Sequence, residues 1–207
     1  MPSVKSKNSK KIILDLCGGT GSWSKPYKDA GYDVLLITLP DYDVRTYEPP
    51  ENVYGILAAP PCTEFSLAKN GHHRTRDFSM GMEVVQSVMQ IIWQCRKKGT
   101  LKFWALENPT GYLRQFLGRP CFTFEQWQYG EKIIKRTDIW GYFDNPVPTI
   151  RKKPSGMVVR NPSGRTNARD FSIPKCPPEY KHLKLDRAAL RAITPAGFAK
   201  AFFIKNQ

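Results

Sequence analysis

The sequence has no Cys-x-x-Cys pair: its five cysteines, at 17, 62, 95, 121 and 176, are odd in number and far apart. That pattern excludes an even disulfide framework and points to a reducing compartment. No run approaches the roughly 18 apolar residues needed to span a bilayer, and residues 1–11 are polar and Lys/Ser-rich without an apolar signal core. A cytoplasmic protein is expected, disordered over residues 1–10 and without a membrane partner. Acidic residues are scarce as well, 18 Asp and Glu against 32 Lys and Arg, for a net charge of +14. Such an excess favours a polyanionic partner through counterion release, and nucleic acid is the commonest. A basic surface kept for solubility is the plainer alternative. At 207 residues, one domain with an appendage is expected rather than two domains, and a monomer is favoured.

What is present begins with an apolar strand from Lys11 that runs through Asp15 into the glycine-rich turn Cys17-Gly18-Gly19-Thr20-Gly21. A short helix over about 22–30 follows, and Gly31 closes it. Glycines let a backbone approach a ligand closely, and loop N–H groups with a helix N-terminus offer donors to it. No Lys-Ser/Thr follows the last glycine, so the turn is not a P-loop. Asp33–Thr38 is a second strand, which makes a βαβ start and a parallel sheet. Thr38 and Leu39 stand where a ribose-binding acid is expected, leaving Asp41 and Asp43 to substitute for it, to hold an adenine edge, or to cap turns.

A third strand, Gly55–Ala59, ends in Pro60-Pro61-Cys62. The prolines fix their own φ and push the residues before them out of helical space, so Cys62 is presented by a stiff loop, as suits a nucleophile. The loop 67–77 crowds Lys69, His72, His73, Arg74 and Arg76 together. Adjacent histidines point apart and nothing stands at zinc-site spacing, so phosphate contact is expected of residues 69–76 and no metal. Val85, Val88, Met89 and Ile92 form one stripe of a helix over 80–98. The strand 102–106 then delivers Glu107-Asn108-Pro109 to the carboxyl edge of the sheet, where ligands bind in open α/β folds. Two further strands, 122–129 and 137–143, flank a connection carrying Lys135 and Arg136. Residues 151–191 hold 11 Lys or Arg against Asp170, Glu179 and Asp186, which reads as an extended, nucleic-acid-facing appendage. Thr194-Pro195 then opens a helix whose Phe198, Ala199, Phe202 and Phe203 form one face.

Three of these pieces, in this order, resemble the DNA cytosine-5 methyltransferases. Asp15-Leu-Cys-Gly-Gly-Thr-Gly21 is similar to their first cofactor motif, Pro60-Pro61-Cys62-Thr-Glu-Phe65-Ser66 to their Pro-Cys motif, and Glu107-Asn108-Pro109, 45 residues after Cys62, to their Glu-Asn-Val motif. Amino-group DNA methyltransferases place an aromatic residue after Pro-Pro, where this chain has Cys62. The resemblance implies a Rossmann-like α/β fold with a mostly parallel central sheet and helices on both faces. Residues 11–145 are its catalytic domain, 146–191 a reduced target-recognition segment and 192–207 a helix packing back on the domain.

The same resemblance implies S-adenosylmethionine as cofactor, held by Asp15, Cys17, Gly18, Gly19, Thr20, Gly21, Trp23, Asp41, Asp43 and Pro60. Cys62 adds to cytosine C6, Glu107 assists at N3, and the target base is flipped out of DNA. A free thiol with a pKa of about 8.5 is mostly protonated at neutral pH, so nearby cations or N–H groups are expected to lower that of Cys62. The family's Gln-x-Arg-x-Arg motif is matched loosely, with Ile133 at the glutamine position and Lys135 at the first arginine position. Lys135 is expected at cytosine O2 and Arg136 at a phosphate. Thr194-Pro195-Ala-Gly197-Phe198 corresponds to the last cofactor-side motif. Family members usually carry a substantial recognition domain, whereas here only 146–191 is available, so DNA contact falls to the 69–76 loop and 151–191. RNA or a free cytosine nucleotide as substrate, and a non-catalytic nucleic-acid-binding protein, are the alternatives.

Overall fold

A computed structural model describes residues 8–67, 75–131, 134–155 and 176–207, with Arg187 described by its backbone alone. Ile133, His72, His73, most of the 69–76 loop and the 156–175 part of the basic segment lie outside the described residues.

Six strands form one mixed sheet: β1 (Ile12–Leu16), β2 (Asp33–Ile37), β3 (Val53–Ala58), β4 (Phe103–Pro109), β5 (Phe122–Glu125) and β6 (Arg136–Tyr142). Their order is β2-β1-β3-β4-β6-β5. The first four are parallel, β6 runs antiparallel to β4, and β5 antiparallel to β6. Helices α1 (Lys25–Asp29), α2 (Phe78–Lys97), α3 (Arg114–Leu117), α4 (Arg187–Ala192) and α5 (Ala196–Lys205) complete the elements, with 3₁₀ turns at Gln126–Tyr129 and Pro178–Leu183. From β1 the chain steps sideways to β2, then crosses back over β1 to β3. The connections leaving β1 and β3 therefore diverge, and a crevice opens at their carboxyl ends.

Alternation along the strands sorts the core into two layers. Leu14, Leu16, Ile56, Ala58 and Leu106 face α2, which buries Val85, Val88, Ile91, Ile92 and Cys95 against them. Ile13, Leu57, Phe103, Ala105 and Ile139 belong to the opposite layer with Tyr27 of α1 and Phe198 and Phe202 of α5. The helix expected to pack back on the domain does so: Phe124 stacks on Phe198 at 4.0 Å, and the Tyr27 hydroxyl donates to the Asn206 carbonyl at 3.0 Å. Burying each of the two phenylalanines contributes about 1.5–3 kcal/mol, enough to fix the placement of α5.

Several boundaries differ from expectation. The expected strand 122–129 stops at Glu125, because Glu125 and Gln128 form a capping box that turns Gln126–Tyr129 into a 3₁₀ turn. Helix α1 is shorter than 22–30, since the Ser24 hydroxyl bonds Asp15 rather than capping the helix. Helix α2 starts at Phe78, where the Asp77 carboxylate accepts from the Met80 N–H at 2.9 Å. Pro195 is extended, with ψ of 129°, so α5 begins one residue later than expected, and the Thr194 N–H donates to Ser22 Oγ at 2.9 Å. The basic segment is not extended throughout: α4 forms within it, capped by Asp186, which accepts from the Ala189 N–H at 2.7 Å. No helix among the described residues is long and apolar enough to cross a membrane.

Candidate active site

The loop after β3 is held rigidly. Pro60 is buried, Cys62 half-buried, and the Cys62 carbonyl accepts from the Phe65 and Ser66 N–H groups at 3.0 and 2.8 Å. Phe65 anchors the turn in the core with no exposed surface. The turn after β4 is sewn to this loop at several points. Asn108 Nδ2 donates to the Pro60 carbonyl at 3.0 Å, the Tyr112 N–H donates to the Phe65 carbonyl at 2.8 Å, and Ser66 bridges Gly111. A Cβ on Gly111 would lie 2.3 Å from the Phe65 carbonyl oxygen, so only glycine allows the approach. Arg76 reinforces the seam. Its Nη1 donates to the Glu64 carbonyl at 2.7 Å and its Nη2 to the Ser66 carbonyl at 2.9 Å, with the guanidinium 4.6 Å over the Tyr112 ring. The one cation of the expected DNA-contacting loop that is described is thus turned onto the protein.

Cys62, in the loop after β3, and Glu107, near the end of the neighbouring parallel strand β4, act electrostatically on one another and with Lys135. Burial pushes the Glu107 carboxyl up from its ordinary pKa; Lys135 opposes the rise and Asp138 adds to it. Burial likewise pushes the Cys62 thiol up, Lys135 and Arg191 pull it down, and Glu107 raises it. The expected lowering of the Cys62 pKa is therefore not observed: desolvation outweighs the two cations. Lys135 Nζ donates to the Arg191 carbonyl at 3.1 Å, which ties the strand-side cation to α4. Arg136 is exposed at the start of β6, and its carbonyl accepts from the Thr110 N–H at 3.0 Å.

Behind Glu107 lies a buried network centred on Asp138. Its Oδ1 accepts from Thr110 Oγ1 at 2.9 Å, Thr123 Oγ1 at 2.8 Å and Arg114 Nη2 at 2.6 Å, and its Oδ2 from Arg114 Nε at 2.6 Å. Burial raises the Asp138 carboxyl, but these hydrogen bonds outweigh it and hold the pKa below the usual range. The network fixes the β4 turn from the side opposite the Cys62 loop.

The glycine-rich turn lies at the end of β1. Cys17, Gly19 and Gly21 take positive φ of 56°, 56° and 68°, and Gly18 is required because a Cβ there would fall 2.3 Å from the Asp15 carboxylate. Asp15 is fully buried and accepts from Ser24 Oγ at 2.5 Å, while its Oδ1 has no hydrogen-bond partner among the described residues. Burial raises its pKa to about 6, with the Ser24 bonds opposing. Asp15 thereby shapes the turn from beneath. Trp23 is buried against Phe198 and Phe202, at 5.9 and 5.4 Å, so its indole belongs to the core. Gly19 is open, with nothing within 4 Å of a Cβ position.

Beside this turn a cavity of about 480 Å³ is lined by Cys17, Ile37, Leu39, Asp43, Val44 and Pro61 among others. Asp43 is gripped by Arg45, Oδ2 to Nη2 at 2.6 Å, and that hydrogen bonding lowers its pKa to about 2. Burial, with Asp15 and Asp43 adding, pushes the Cys17 thiol up to about 12, so it is inert at neutral pH. Of the residues expected to hold a cofactor, Cys17 and Asp43 line this cavity; Asp41 is exposed and does not. Asp138, Arg114, Gly111 and Arg191 were not singled out by sequence reasoning. Asp138 carried a readable signal, a lone acid in an apolar strand, whereas the others depend on contacts between distant segments. No known family model matches the chain, and no curated protein does.

Proposed function

We propose that the protein is an S-adenosylmethionine-dependent methyltransferase of Rossmann-like fold that modifies C5 of cytosine in DNA. The observation that carries this reading is that the loop holding Cys62, after β3, is bonded to the β4 turn that holds Glu107 through Asn108 and Pro60, with Lys135 acting electrostatically on both side chains. The diverging connections of β1 and β3 support the fold reading, because ligands of such sheets bind where the strand order reverses.

The cavity fits the cofactor. Ile37, Leu39 and Val44 offer an apolar wall for an adenine and Asp43 an acceptor, while Gly19, in the turn that follows Cys17 and outside the lining, leaves room for a close backbone approach. The bound cofactor supplies an electrophilic methyl group. Everything else falls to the chain's own residues. The Cys62 thiolate attacks C6, forming an S–C6 bond, while Glu107 gives a proton to N3 and so withdraws charge from the ring. Burial raises the Glu107 pKa, which favours the protonated carboxyl that this step needs. Once C5 is substituted, its proton passes to solvent, the freed electron pair forms the C5=C6 bond and expels the Cys62 thiolate from C6, and N3 returns its proton to Glu107. Lys135 opposes the desolvation of the thiolate, and the Asn108 and Gly111 contacts keep thiol and acid in register. A base stacked in duplex DNA does not reach a half-buried thiol, so the reading requires flipping.

Incubation with 5-fluorocytosine-containing DNA and S-adenosylmethionine is the test. A denaturation-stable adduct on Cys62 is expected, since fluorine at C5 cannot leave as a proton does; its absence when both ligands bind would sink the proposal. A second reading, the same chemistry on RNA or a free nucleotide, is favoured by the shortness of 146–191. Comparing product formed on duplex DNA, RNA and dCMP decides between them.

A further inference from the structure

We propose that Arg191, at the end of α4, binds the backbone phosphate beside the target nucleotide. This rests on the reading of Cys62 as the nucleophile, and it assigns a substrate contact to a residue outside the motifs that carry that reading.

Arg191 is held in place from two sides. Lys135 Nζ donates to its carbonyl at 3.1 Å, satisfying one of the carbonyls that α4 leaves open at its end. Three residues on, the Thr194 N–H is fixed by Ser22 Oγ at 2.9 Å and Pro195 is buried. The backbone around Arg191 is therefore pinned between the connection leading into β6 and the glycine-rich turn. Its side chain is not: Arg191 is exposed, and its guanidinium makes no hydrogen bond or ion pair among the described residues. It lines a second cavity of about 590 Å³ beside Ser22 and Thr194.

The charges around that cavity locate the anion. Lys25 is paired with Asp29 at 2.6 Å, and Glu131, Glu179 and Lys200 also line the wall, so apart from Arg191 the lining carries three acids against two lysines. That excess of acid disfavours an anion inside the cavity and leaves the other side of Arg191, towards Lys135 and the end of β4 where the Thr110 N–H meets the Arg136 carbonyl at 3.0 Å. Among the described residues, Lys135 and Arg191 are the cations that act on the Cys62 thiol. Lys135 is already bonded to a backbone carbonyl, whereas Arg191 offers an unengaged planar fork suited to a phosphate. The cofactor's carboxylate is the other possible anion, but Arg191 does not line the 480 Å³ cavity.

The test uses the full chain and a fluorescent cytosine-containing DNA duplex, with Kd measured between about 50 and 200 mM salt for wild type, R191M and R191K. One phosphate contact contributes about 0.9 to the slope of log K against log salt. R191M keeps the stem but not the charge; its slope is expected to fall by about 0.9, so its binding deficit at about 50 mM is about 3.5-fold larger than at about 200 mM. R191K keeps the slope. Calorimetry with S-adenosylmethionine is expected to give the wild-type affinity for both variants. An unchanged R191M slope overturns the proposal. So does a roughly tenfold loss of cofactor affinity without a slope change, which would assign the guanidinium to the cofactor carboxylate. The wild-type adduct assay is read separately: DNA binding without adduct sinks the methyltransferase reading, while the slope still reports on Arg191.

Discussion

Replacing Gly111 by alanine perturbs the seam between the nucleophile loop and the acid's turn and little else. Gly111 is not among the residues with positive φ, so alanine meets no backbone strain there. The obstacle is space: the new Cβ would stand 2.3 Å from the Phe65 carbonyl oxygen. A C···O contact needs roughly 3.3 Å, so the two loops must part by about 1 Å. That motion breaks the 2.8 Å bond from the Tyr112 N–H to the same oxygen, worth about 1 kcal/mol, and adds an overpacking cost of about 1–3 kcal/mol. A loss of about 2–4 kcal/mol is expected, which lowers the Tm of a domain this size by about 4–16 °C. Cys62 lies on the same turn as Phe65, and a misplacement approaching 1 Å lowers the rate of adduct formation by about 10- to 100-fold. Thermal unfolding and the adduct time course, with S-adenosylmethionine binding as a control expected to stay near wild type, measure all three. A G111A protein with wild-type Tm and wild-type adduct rate would refute the idea that these loops are held by close contact.

Other expectations follow from the electrostatics. Iodoacetamide labelling of Cys62, followed by peptide mass spectrometry, should be slow at pH 7 in the ligand-free protein and rise only above the ordinary thiol range. Lys135→Ala should slow it further, because Lys135 lowers the Cys62 pKa; labelling that is fast at pH 7 would contradict this. Asp138→Asn should cost about 2–3 kcal/mol from the lost charged hydrogen bonds. Because the folded pKa of Asp138 is depressed, its contribution is fully present above the unfolded value near 3.9 and lost as pH falls through the folded one. The variant's deficit in urea unfolding should therefore shrink in acid. Asp15 has the opposite sign: its folded pKa of about 6 lies above its unfolded value, so native Asp15 holds the extra proton and stability falls as pH rises from about 4 to 6. Asp15→Asn should flatten that part of the profile; an unchanged slope would contradict the assignment.

The sheet was legible wherever local patterning sufficed. Ile12–Leu16 and Val53–Ala58 are apolar runs bounded by turn residues, and Val85, Val88 and Ile92 recur at helical spacing, so strand, strand and helix followed from periodicity. The Gln126–Tyr129 turn was not, because Phe122, Phe124 and Trp127 mimic a strand until the Glu125–Gln128 box is recognised. Cys62 and Glu107 were legible as residues, since each ends an apolar strand. Their environment was not: the thiol's raised pKa reflects burial, which depends on how separate loops close over it. Arg191 acquires meaning only once Lys135, 56 residues earlier, reaches its carbonyl.

Nucleoside mass spectrometry of DNA incubated with the protein and S-adenosylmethionine tests the central claim most directly. The account predicts 5-methylcytosine from the wild-type protein and unmodified cytosine from Cys62→Ser. Methylation of the exocyclic amino group, or 5-methylcytosine still made at the wild-type rate by Cys62→Ser, would contradict it.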